Sequence, residues 1–598
     1  MKENSLIKRD VDLKPYLTFY TEAKAEMFAE YSSLKELEII YKTEEFKTSQ
    51  LFHIGGGSNL LFFDTFKGLV LHSKMRGIKE YKKNDDEYYI IASAGEKWTD
   101  LVDWSIENGY TGLECMAGIP GEVGASPVQN VGAFGAEAGD LIFSVECFDT
   151  QTGETVKFMN DECGFSYRDS KFKKEWKNRY FILRVSFKLK KSLFAFNLKY
   201  EKIKRFAESL DHAPTTQEVK EEVLRLRALN LPSLEEYGSA GSFFKNPIVH
   251  KNFYKDEVLR RCPDVPSHEV DYRRVKIPAG WLIENAGLKG FTYGGAQIYP
   301  GNCLVITNNG DASPEDIKTL SEIIEKEVNA KFGIRLEPEV NFVDTRIKVN
   351  VLGTGTSKGI PEVGCDCRVC RSEDQKDKRL RSSVLVDTMG MNILIDASPD
   401  FRIQALHNHI HRVDAVLLTH VHYDHVGGLD DLRPFCLNGD IPVFCRKDVE
   451  EDLKRRIDYC FRSDKYPGVP GFDTNIISDQ PFLVNGLRII PISLHHGSLE
   501  IVGYRIGDFA YVTDCKTISD SEKEKLKDLE VLILNALRDR DHFAHLTLNE
   551  ARDLIAELKP KRAYITHLCH EAGTHQELCE RLGNNISPAY DGQTIIID

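Results

Sequence analysis

The stretch that decides the fold is Thr419-His420-Val421-His422-Tyr423-Asp424-His425, which places four metal-type ligands within six residues. The apolar run before it, residues 415–418, is typical of a buried strand. A strand that ends in His-x-His-x-Asp-His presents imidazoles and a carboxylate at a sheet edge, which suits two divalent ions. Gly427 and Gly428 then let the backbone turn closely beside such ions. The alternative, polar residues that happen to lie at a strand end, leaves this density of ligands unexplained.

This motif resembles the signature of the metallo-β-lactamase superfamily, and the resemblance covers residues 346–598. It implies an αβ/βα sandwich that brings further ligands from strand ends. His496 is expected after the strand at residues 487–494, with the adjacent His495 as the alternative. Zinc and manganese both suit such a site. The implied set gives His420, His422 and His496 to one ion and Asp424, His425 and His567 to the other, with Asp514 bridging them.

A second metal motif is Cys365-Asp-Cys367-Arg-Val-Cys370, where three thiols within six residues suit a structural zinc. The tail supplies a fourth ligand, His570, with Cys569 as the alternative. This insertion resembles the PhnP group of the superfamily, which implies a metal-dependent phosphodiesterase acting on a small, cyclic phosphate ester. His545 would then protonate the leaving alkoxide or bind the phosphate. A nuclease or a thioester hydrolase is the rival interpretation of this half.

Length and composition limit what else the chain does. It has 598 residues, 41% hydrophobic and 28% charged, with a net charge of −14, so we expect two or more soluble domains. This acidic balance makes nucleic acid an unlikely partner. No 18-residue apolar run and no apolar leader is seen, so we expect a cytoplasmic protein without a membrane partner. Fourteen cysteines are too dilute for a disulfide scaffold.

The first half contains two glycine-rich stretches. Residues 51–62 read Leu-Phe-His-Ile-Gly-Gly-Gly-Ser-Asn-Leu-Leu-Phe, where glycines after a strand let backbone N–H groups converge on a diphosphate. An ordinary hairpin turn is the alternative for this stretch alone. Residues 112–139 hold seven glycines and two prolines, which do not build a regular helix but let backbone approach a flat cofactor. Both stretches predict a phosphate-bearing cofactor.

Together the two stretches resemble the FAD-binding domain of the UDP-N-acetylenolpyruvoylglucosamine reductase (MurB) family. The resemblance implies an α+β FAD-binding fold of the PCMH/VAO type over residues 1–200 and a C-terminal substrate-binding region over residues 201–345. The expected FAD contacts are Gly55, Gly56, Gly57, Ser58, Asn59, Gly118, Ile119, Pro120, Gly121, Ser126 and Asn130.

Three short motifs sharpen this resemblance: Tyr167-Arg168-Asp169-Ser170, Gly238-Ser-Ala-Gly-Ser242 and Glu337-Pro-Glu339. Singly they are typical of a surface ion pair, a turn and a solvated segment. In this order they resemble the catalytic residues of the family, which implies that Arg168 and Glu339 stabilise a substrate carboxylate while Ser242 donates a proton. Residues expected to contact the substrate are Tyr167, Tyr200, Lys245 and Asn246.

The family resemblance implies that NADPH reduces FAD, which then reduces a UDP-sugar enolpyruvyl ether in peptidoglycan precursor synthesis. Asn230 stands where the family has a lysine that helps to bind the substrate diphosphate. We therefore predict a bifunctional enzyme, a flavin reductase followed by a metal-dependent hydrolase. The alternative is that one half is a noncatalytic scaffold or regulatory module.

Overall fold

The structure of the chain is a computed structural model, and it describes residues 6–82, 87–195, 198–436, 439–462, 464, 468–583 and 585–597. The chain divides into two compact units, Met1–Asp344 and Thr345–Asp598. Each unit has its own buried apolar clusters, so each is described separately. Among the described residues no helix is both long and apolar enough to cross a bilayer.

The first 200 residues build two sheets and a β-ribbon. Parallel pairing of Thr65–Ser73 with both Lys24–Tyr31 and Leu51–Ile54 directs the glycines of residues 55–57 to one sheet edge. Alternating burial along Glu87–Ser93 matches a sheet with one face on a core. In order across each sheet, the strands are Ile7–Asp12, Lys24–Tyr31, Thr65–Ser73 and Leu51–Ile54; Thr155–Met159, Ile142–Asp149, Tyr180–Lys191, Glu87–Ser93 and Ile78–Lys82, with Tyr110–Thr111 also on Tyr180–Lys191; and Ala136–Glu137 with Gly132–Ala133.

The rest of the first unit forms smaller sheets and returns to the glycine loop. Asn341–Val343 pairs in parallel with Leu60–Phe62, and the Asn341 backbone N–H donates to the Asn59 carbonyl at 3.1 Å. This pairing carries Glu339 to residues 55–59, although some 280 residues separate them in sequence. The other sheets contain Gly238–Ser242, Val305–Asn308, Ala296–Ile298 and Thr292–Tyr293; and Ile248–His250, Arg274–Lys276 and His268–Glu269.

The helices of the first unit begin and end at recognisable caps. Pro314–Phe332 starts after Ser313, whose hydroxyl accepts from the Asp316 N–H, and it ends at Gly333 in the left-handed region (φ 70°). Its buried residues recur every three or four positions, so one face covers the core. The α-helices are Leu34–Tyr41, Glu44–Thr48, Trp98–Glu107, Glu201–Glu208, Thr216–Asn230, Lys251–Phe253, Leu259–Arg261, Ala279–Asn285 and Pro314–Phe332; Tyr254–Val258 is a π-helix, and the 3₁₀ turns are Lys14–Tyr16, Glu114–Met116, Val123–Ala125, Ala138–Asp140, Asn160–Cys163 and Lys171–Lys173.

The second unit is built on two seven-stranded sheets in its described part. Both faces of their central strands are buried, as in Val531–Asn535, where all five residues are buried. Helices cover one face of each sheet, and the Tyr504 hydroxyl of one sheet donates to the Leu418 carbonyl at the end of a strand of the other at 2.7 Å. The orders are Phe472–Ile476, Ile441–Cys445, Ala415–Leu417, Met391–Ile395, Ser383–Thr388, Ile347–Gly353 and Thr594–Ile597; and Phe482–Val484, Leu487–His496, Leu499–Ile506, Phe509–Val512, Val531–Asn535, Arg562–Thr566 and Ile586–Pro588.

Parallel strand pairing gathers the ligand residues of the second unit. Phe509–Val512, Val531–Asn535 and Arg562–Thr566 run parallel, so the residues that follow them meet at one sheet edge. Ala415–Leu417 likewise lies parallel to its neighbours and ends just before His420. The helices of this unit are Phe401–His407, Tyr423–Val426, Lys447–Arg456, Asp520–Glu524, Leu548–Leu558 and His575–Leu582, and the 3₁₀ turns are Gln375–Asp377, Leu429–Phe435, Asp458–Cys460 and His570–Ala572.

Candidate active sites

A cavity of about 680 Å³ in the first unit is lined by both glycine-rich stretches. Their backbones approach so closely that a Cβ on Gly56 would lie 2.8 Å from the Gly121 Cα. Gly57 has φ 59°, and a Cβ there would lie 1.8 Å from the Tyr16 carbonyl oxygen. Side chains are therefore excluded at Gly56 and Gly57, which leaves backbone at this part of the cavity wall, as the binding of a diphosphate favours.

Most residues expected to contact FAD line this cavity. Asn130 does not, because its side chain donates to Glu137 and the Ser166 carbonyl and accepts from the Gly139 N–H at 2.7–2.9 Å. Through these hydrogen bonds Asn130 stabilises the loop of residues 112–139 without lining the cavity. The residues in the cavity wall are Gly55, Gly56, Gly57, Ser58, Asn59, Gly118, Ile119, Pro120, Gly121 and Ser126.

Arg168, Ser242 and Glu339 line the same cavity. Arg168 Nε lies 3.1 Å from Glu339 Oε1, and its Nη2 donates to the Gly132 carbonyl at 2.6 Å. Burial raises the pKa of Glu339, against the lowering effect of the nearby cations. Arg168 adopts the left-handed region (φ 56°), so its backbone conformation is strained. This arrangement can receive a carboxylate and place a hydroxyl beside it.

The four residues expected to contact the substrate have different surroundings. The Asn246 side-chain oxygen accepts from the Ala279 N–H at 2.8 Å, at the start of a helix, and Lys245 Nζ pairs with Glu337 at 2.5 Å. Tyr167 lies under Lys276 Nζ, 4.0 Å from its ring centroid. Tyr200 precedes the helix Glu201–Glu208, is 39% exposed and does not line the cavity in the part of the chain that is described.

Sequence reasoning missed three cationic residues of the cavity wall: Lys173, Lys177 and Arg227. Burial, with the neighbouring Lys173, lowers the pKa of Lys177 to about 8, and burial lowers the pKa of Arg227 to about 10. In sequence, the charge pattern of residues 171–174 fits a solvated surface equally well. Only the folded chain reveals that these three residues are partly buried in the cavity wall.

In the second unit, the histidines and aspartates of the strand ends form one cluster. Ligand atoms of His420, His425 and Asp514 lie within 4.8 Å of one another, as do those of Asp424, His425 and His567. His420 Nε2 lies 3.0 Å from His422 Nδ1. All of these residues were predicted as ligands, and the fold brings them together.

Buried nitrogens in this cluster fit a bound cation. His425 Nε2 is buried and has no hydrogen-bond partner among the described residues, yet it lies 3.1 Å from Asp514 and 3.3 Å from Asp424. His496 Nδ1 donates to the Asp514 and Ala544 carbonyls at 2.9 and 2.8 Å, which leaves Nε2 for an ion. The rival His495 is half-exposed and faces Glu500. The donor set of nitrogens and carboxylates suits zinc or manganese.

Residues behind the ligands fix their orientation. Asp396 accepts from His425 Nδ1 at 2.6 Å and from both the N–H and the hydroxyl of Thr419. Sequence analysis missed Asp396, although it follows a buried strand as Asp514 does. Asp396, Asp514 and His567 all adopt left-handed backbone conformations (φ 56–61°), which concentrates strain at this site.

His545 is buried beside the cluster, and its ligand atom lies within 4.8 Å of those of His496 and Asp514. Its Nδ1 is buried, lies 3.6 Å from Asp514 Oδ1 and has no hydrogen-bond partner in the described chain. Burial lowers the pKa of His545 to about 3, with His567 adding to the shift. The neutral ring can therefore face a phosphate or its leaving oxygen.

The cysteine motif closes on His570. Its Nδ1 lies 3.2, 3.6 and 3.4 Å from the Sγ atoms of Cys365, Cys367 and Cys370. A tetrahedral zinc with ordinary bond lengths separates nitrogen and sulfur ligands by roughly 3.6 Å. The residues present therefore fit zinc. Cys569, the alternative ligand, is not part of this group among the described residues.

Comparison with known proteins finds similar families for each half of the chain. Family models match the FAD binding domain at residues 25–159, the UDP-N-acetylenolpyruvoylglucosamine reductase C-terminal domain at residues 233–343, and the beta-lactamase superfamily domain at residues 391–568. A UDP-N-acetylenolpyruvoylglucosamine reductase from Flavobacterium johnsoniae is 40% identical over 338 residues, which are 56% of this chain and 99% of that protein. The chain belongs to the UDP-N-acetylenolpyruvoylglucosamine reductase family.

The chain is thus a MurB-type protein fused to a metallo-β-lactamase-fold domain, as the sequence predicted. An octanoyltransferase from Porphyromonas gingivalis is 47% identical over 251 residues, 42% of this chain and 51% of that protein. Because the match spans half of that relative, its named activity need not lie in the matched part. A crystal structure described as a diphosphatase of the PhnP family is 38% identical, with a TM-score of 0.40, over 42% of this chain and 98% of that one.

Proposed function

We propose that Met1–Asp344 reduces UDP-N-acetylglucosamine-enolpyruvate to UDP-N-acetylmuramate with NADPH. The observation that carries this proposal is the meeting of Arg168, Ser242 and Glu339 in a cavity walled by two glycine loops. FAD, when bound there, would accept hydride from NADPH and deliver it to the substrate. The similarity to a reductase of this name, which covers 99% of that protein, supports the same reaction.

The residues of this chain would act on the substrate carboxylate and the adjacent carbon. Arg168 would bind the carboxylate through its guanidinium, as its fork geometry favours. Glu339, whose pKa is raised by burial, would hold a proton that hydrogen-bonds the carboxylate as negative charge develops on it. Ser242 would donate a proton to the carbon next to the one that receives hydride.

The two glutamates of Glu337-Pro-Glu339 offer a matched test. Rapid mixing would follow flavin absorbance of the full-length protein, first with NADPH and then with the enolpyruvyl substrate. We expect Glu339→Gln to keep flavin reduction and to slow reoxidation by about 10²–10⁴-fold. Glu337→Gln should leave both steps unchanged, because the Glu337 side chain is 70% exposed and, among the described residues, pairs only with Lys245. Wild-type flavin that NADPH reduces but substrate never reoxidises would favour a noncatalytic role.

We infer that Thr345–Asp598 hydrolyses a small phosphate ester. Support comes from the convergence of His420, His425, Asp424, Asp514 and His567, which follow strand ends of both sheets, with His496 and His545 beside them. Two divalent ions bound to these residues would supply Lewis acidity and activate water. His420, His422 and His496 would hold one ion, Asp424, His425 and His567 the other, with Asp514 between them.

In this reaction, His545 would hydrogen-bond the phosphate or protonate the leaving alkoxide. The limited basic surface of an acidic chain favours a small ester over a structured nucleic acid. A separate zinc, bound by Cys365, Cys367, Cys370 and His570, would have a structural role only, because a site with four protein ligands has no open position.

Turnover of a substrate panel by the metal-loaded protein tests the hydrolase. The panel contains phosphoribosyl 1,2-cyclic phosphate, an aryl phosphodiester, a dinucleotide diphosphate and a precursor tRNA. We expect small esters to be cleaved and Asp424→Ala to abolish turnover, while Asp431→Ala, an exposed neighbour, retains it. Cleavage of the tRNA alone would make this half a nuclease, and hydrolysis of none would refute phosphate-ester chemistry.

A further inference from the structure

Residues 171–177 carry four lysines that meet different environments. Lys174 is 63% exposed and pairs with Asp169, and Lys171 Nζ lies 5.0 Å from the Trp176 ring centroid. Lys173 and Lys177 instead line the cavity that contains Arg168 and Glu339. Two lysines of this segment, Lys173 and Lys177, therefore line the ligand space, whereas Lys171 and Lys174 do not.

Neither of these two ammonium groups has an ion-pair or hydrogen-bond partner in the part of the chain that the structure describes. Burial, followed by the charge of Lys245, lowers the pKa of Lys173, against the raising effect of three nearby carboxylates, those of Glu339, Glu337 and Asp169. Each of them already has a closer partner, because Glu339 contacts Arg168, Glu337 pairs with Lys245, and Asp169 pairs with Lys174.

Unpaired and partly buried cations are costly, so their presence in a cavity wall calls for an anion that arrives with a ligand. The cost is visible in Lys177, whose pKa is lowered to about 8 by burial and by Lys173. The glycine loops supply backbone N–H groups and one carboxylate to the cavity wall, that of Glu122, which lies 3.1 Å from His72 Nε2. Lysine ammonium groups are point-charge donors suited to phosphate oxygens.

We propose that Lys173 and Lys177 form a phosphate subsite of this cavity. The inference deepens the proposed reductase function and rests on it for the identity of the ligands. Two sources of the phosphate share this chemistry: the diphosphate of FAD and the phosphates of a nucleotide substrate, NADPH or the UDP-sugar. Asn230 cannot fill this role, because its side chain donates to the Leu226 carbonyl of its own helix.

The test measures binding by full-length Lys173→Met and Lys177→Met proteins, with Lys177→Arg as the conservative variant and Lys174→Met as the matched surface control. The Kd of FAD is measured on flavin-free protein by fluorescence quenching, beside riboflavin, which has no phosphate. KM values for NADPH and the UDP-sugar are measured on flavin-saturated protein. We expect one phosphate-bearing ligand to bind about 10–100-fold more weakly to each methionine variant, with a weaker salt dependence. Lys177→Arg should recover most of the loss, and Lys174→Met should match wild type.

The arms identify the source of the phosphate. Weaker FAD binding with unchanged riboflavin binding assigns the subsite to the flavin, whereas a raised KM for one substrate assigns it to that nucleotide. Unchanged binding of FAD, NADPH and the UDP-sugar overturns the subsite, even if turnover falls. A wild-type protein that binds FAD but reduces no UDP-sugar would refute the proposed reaction and leave the FAD comparison valid.

Discussion

Lys177 shows how a single side chain can oppose folding while serving binding. Its pKa of about 8 lies below the ordinary lysine value, so the folded chain holds the proton less firmly than the unfolded chain. We predict that Lys177→Met stabilises the flavin-free protein at pH 7 by about 1–3 kcal/mol, after allowance for solvent screening. Urea unfolding measures this difference, with Lys174→Met as the control.

The pH dependence of this difference has a fixed sign. Between about pH 8 and the ordinary lysine pKa of 10.5, the unfolded chain binds the extra proton, so wild-type stability rises with pH there. The advantage of the methionine variant should therefore be full below pH 8 and shrink towards pH 10. If the stability advantage of the methionine variant stays constant over this range, the pKa of Lys177 is not lowered in the folded chain.

Asp396 provides a residue-scale test of the metal cluster. It holds His425 through Nδ1 at 2.6 Å, and an amide in its place would present a donor or a weaker acceptor to that ring. We predict that Asp396→Asn lowers metal affinity about 10–100-fold. Competition with a chromogenic chelator measures the affinity. Asp414→Asn is the control, since Asp414 accepts only from Arg412 and Asn392 among the described residues, and an equal loss there would implicate general destabilisation.

The cysteine loop is an element without a core of its own. Its buried apolar cluster consists of Ile360, Val369 and Cys370, which is too few side chains to order the segment. We predict that Cys370→Ser loses one zinc per chain and exposes residues 360–378 to protease, while the histidine cluster keeps its ions. Metal analysis after dialysis, with mapping of the cleavage sites, measures both effects. Cys569→Ser should retain the zinc, and its loss there would make Cys569 the fourth ligand.

At the scale of helices and strands, the sequence predicted those site residues whose position depends only on the order of residues along the chain. His420, Asp514 and His567 each follow an apolar run, and a strand end is a position that local pattern reveals. Lys173 and Lys177 could not be assigned, because their spacing is equally compatible with solvent and the cavity is formed by distant segments. The expectation of His496 rather than His495 agrees with period-two alternation along Leu487–His496, which sends neighbouring side chains to opposite faces.

At the scale of the whole molecule, separate cores predict separate unfolding. All four tryptophans, Trp98, Trp104, Trp176 and Trp281, lie in Met1–Asp344, so tryptophan fluorescence reports only on the flavin half. We predict that adding FAD at 100 times its Kd stabilises the fluorescence transition by about 2.7 kcal/mol. Removing metal with a chelator should leave that transition in place and lower a second one seen by circular dichroism. A single transition that responds to both ligands would contradict independent folding.

Domain identity was readable from sequence because each half carries several motifs in a fixed order, as with Arg168, Ser242 and Glu339. What the order of motifs does not specify is side-chain environment. Asn130 sits inside a predicted cofactor loop yet braces it from behind, and Tyr200 stands at a helix start outside the cavity. Such differences depend on which way a residue faces, a property set by tertiary packing.

The left-handed backbone of Asp396, Asp514 and His567 has a consequence for anyone who redesigns this chain. An optimiser rewarded only for keeping the fold would write glycine at all three positions, where it relaxes the backbone at no steric cost. The resulting protein would be more stable, but it would lack the metal-binding side chains and would be inactive. Buried positions where a stability-driven redesign asks for glycine and the natural chain has aspartate or histidine therefore mark the reaction centre, whereas Asp10, Asp64, His409 and Asp528 share this backbone conformation on the exposed surface.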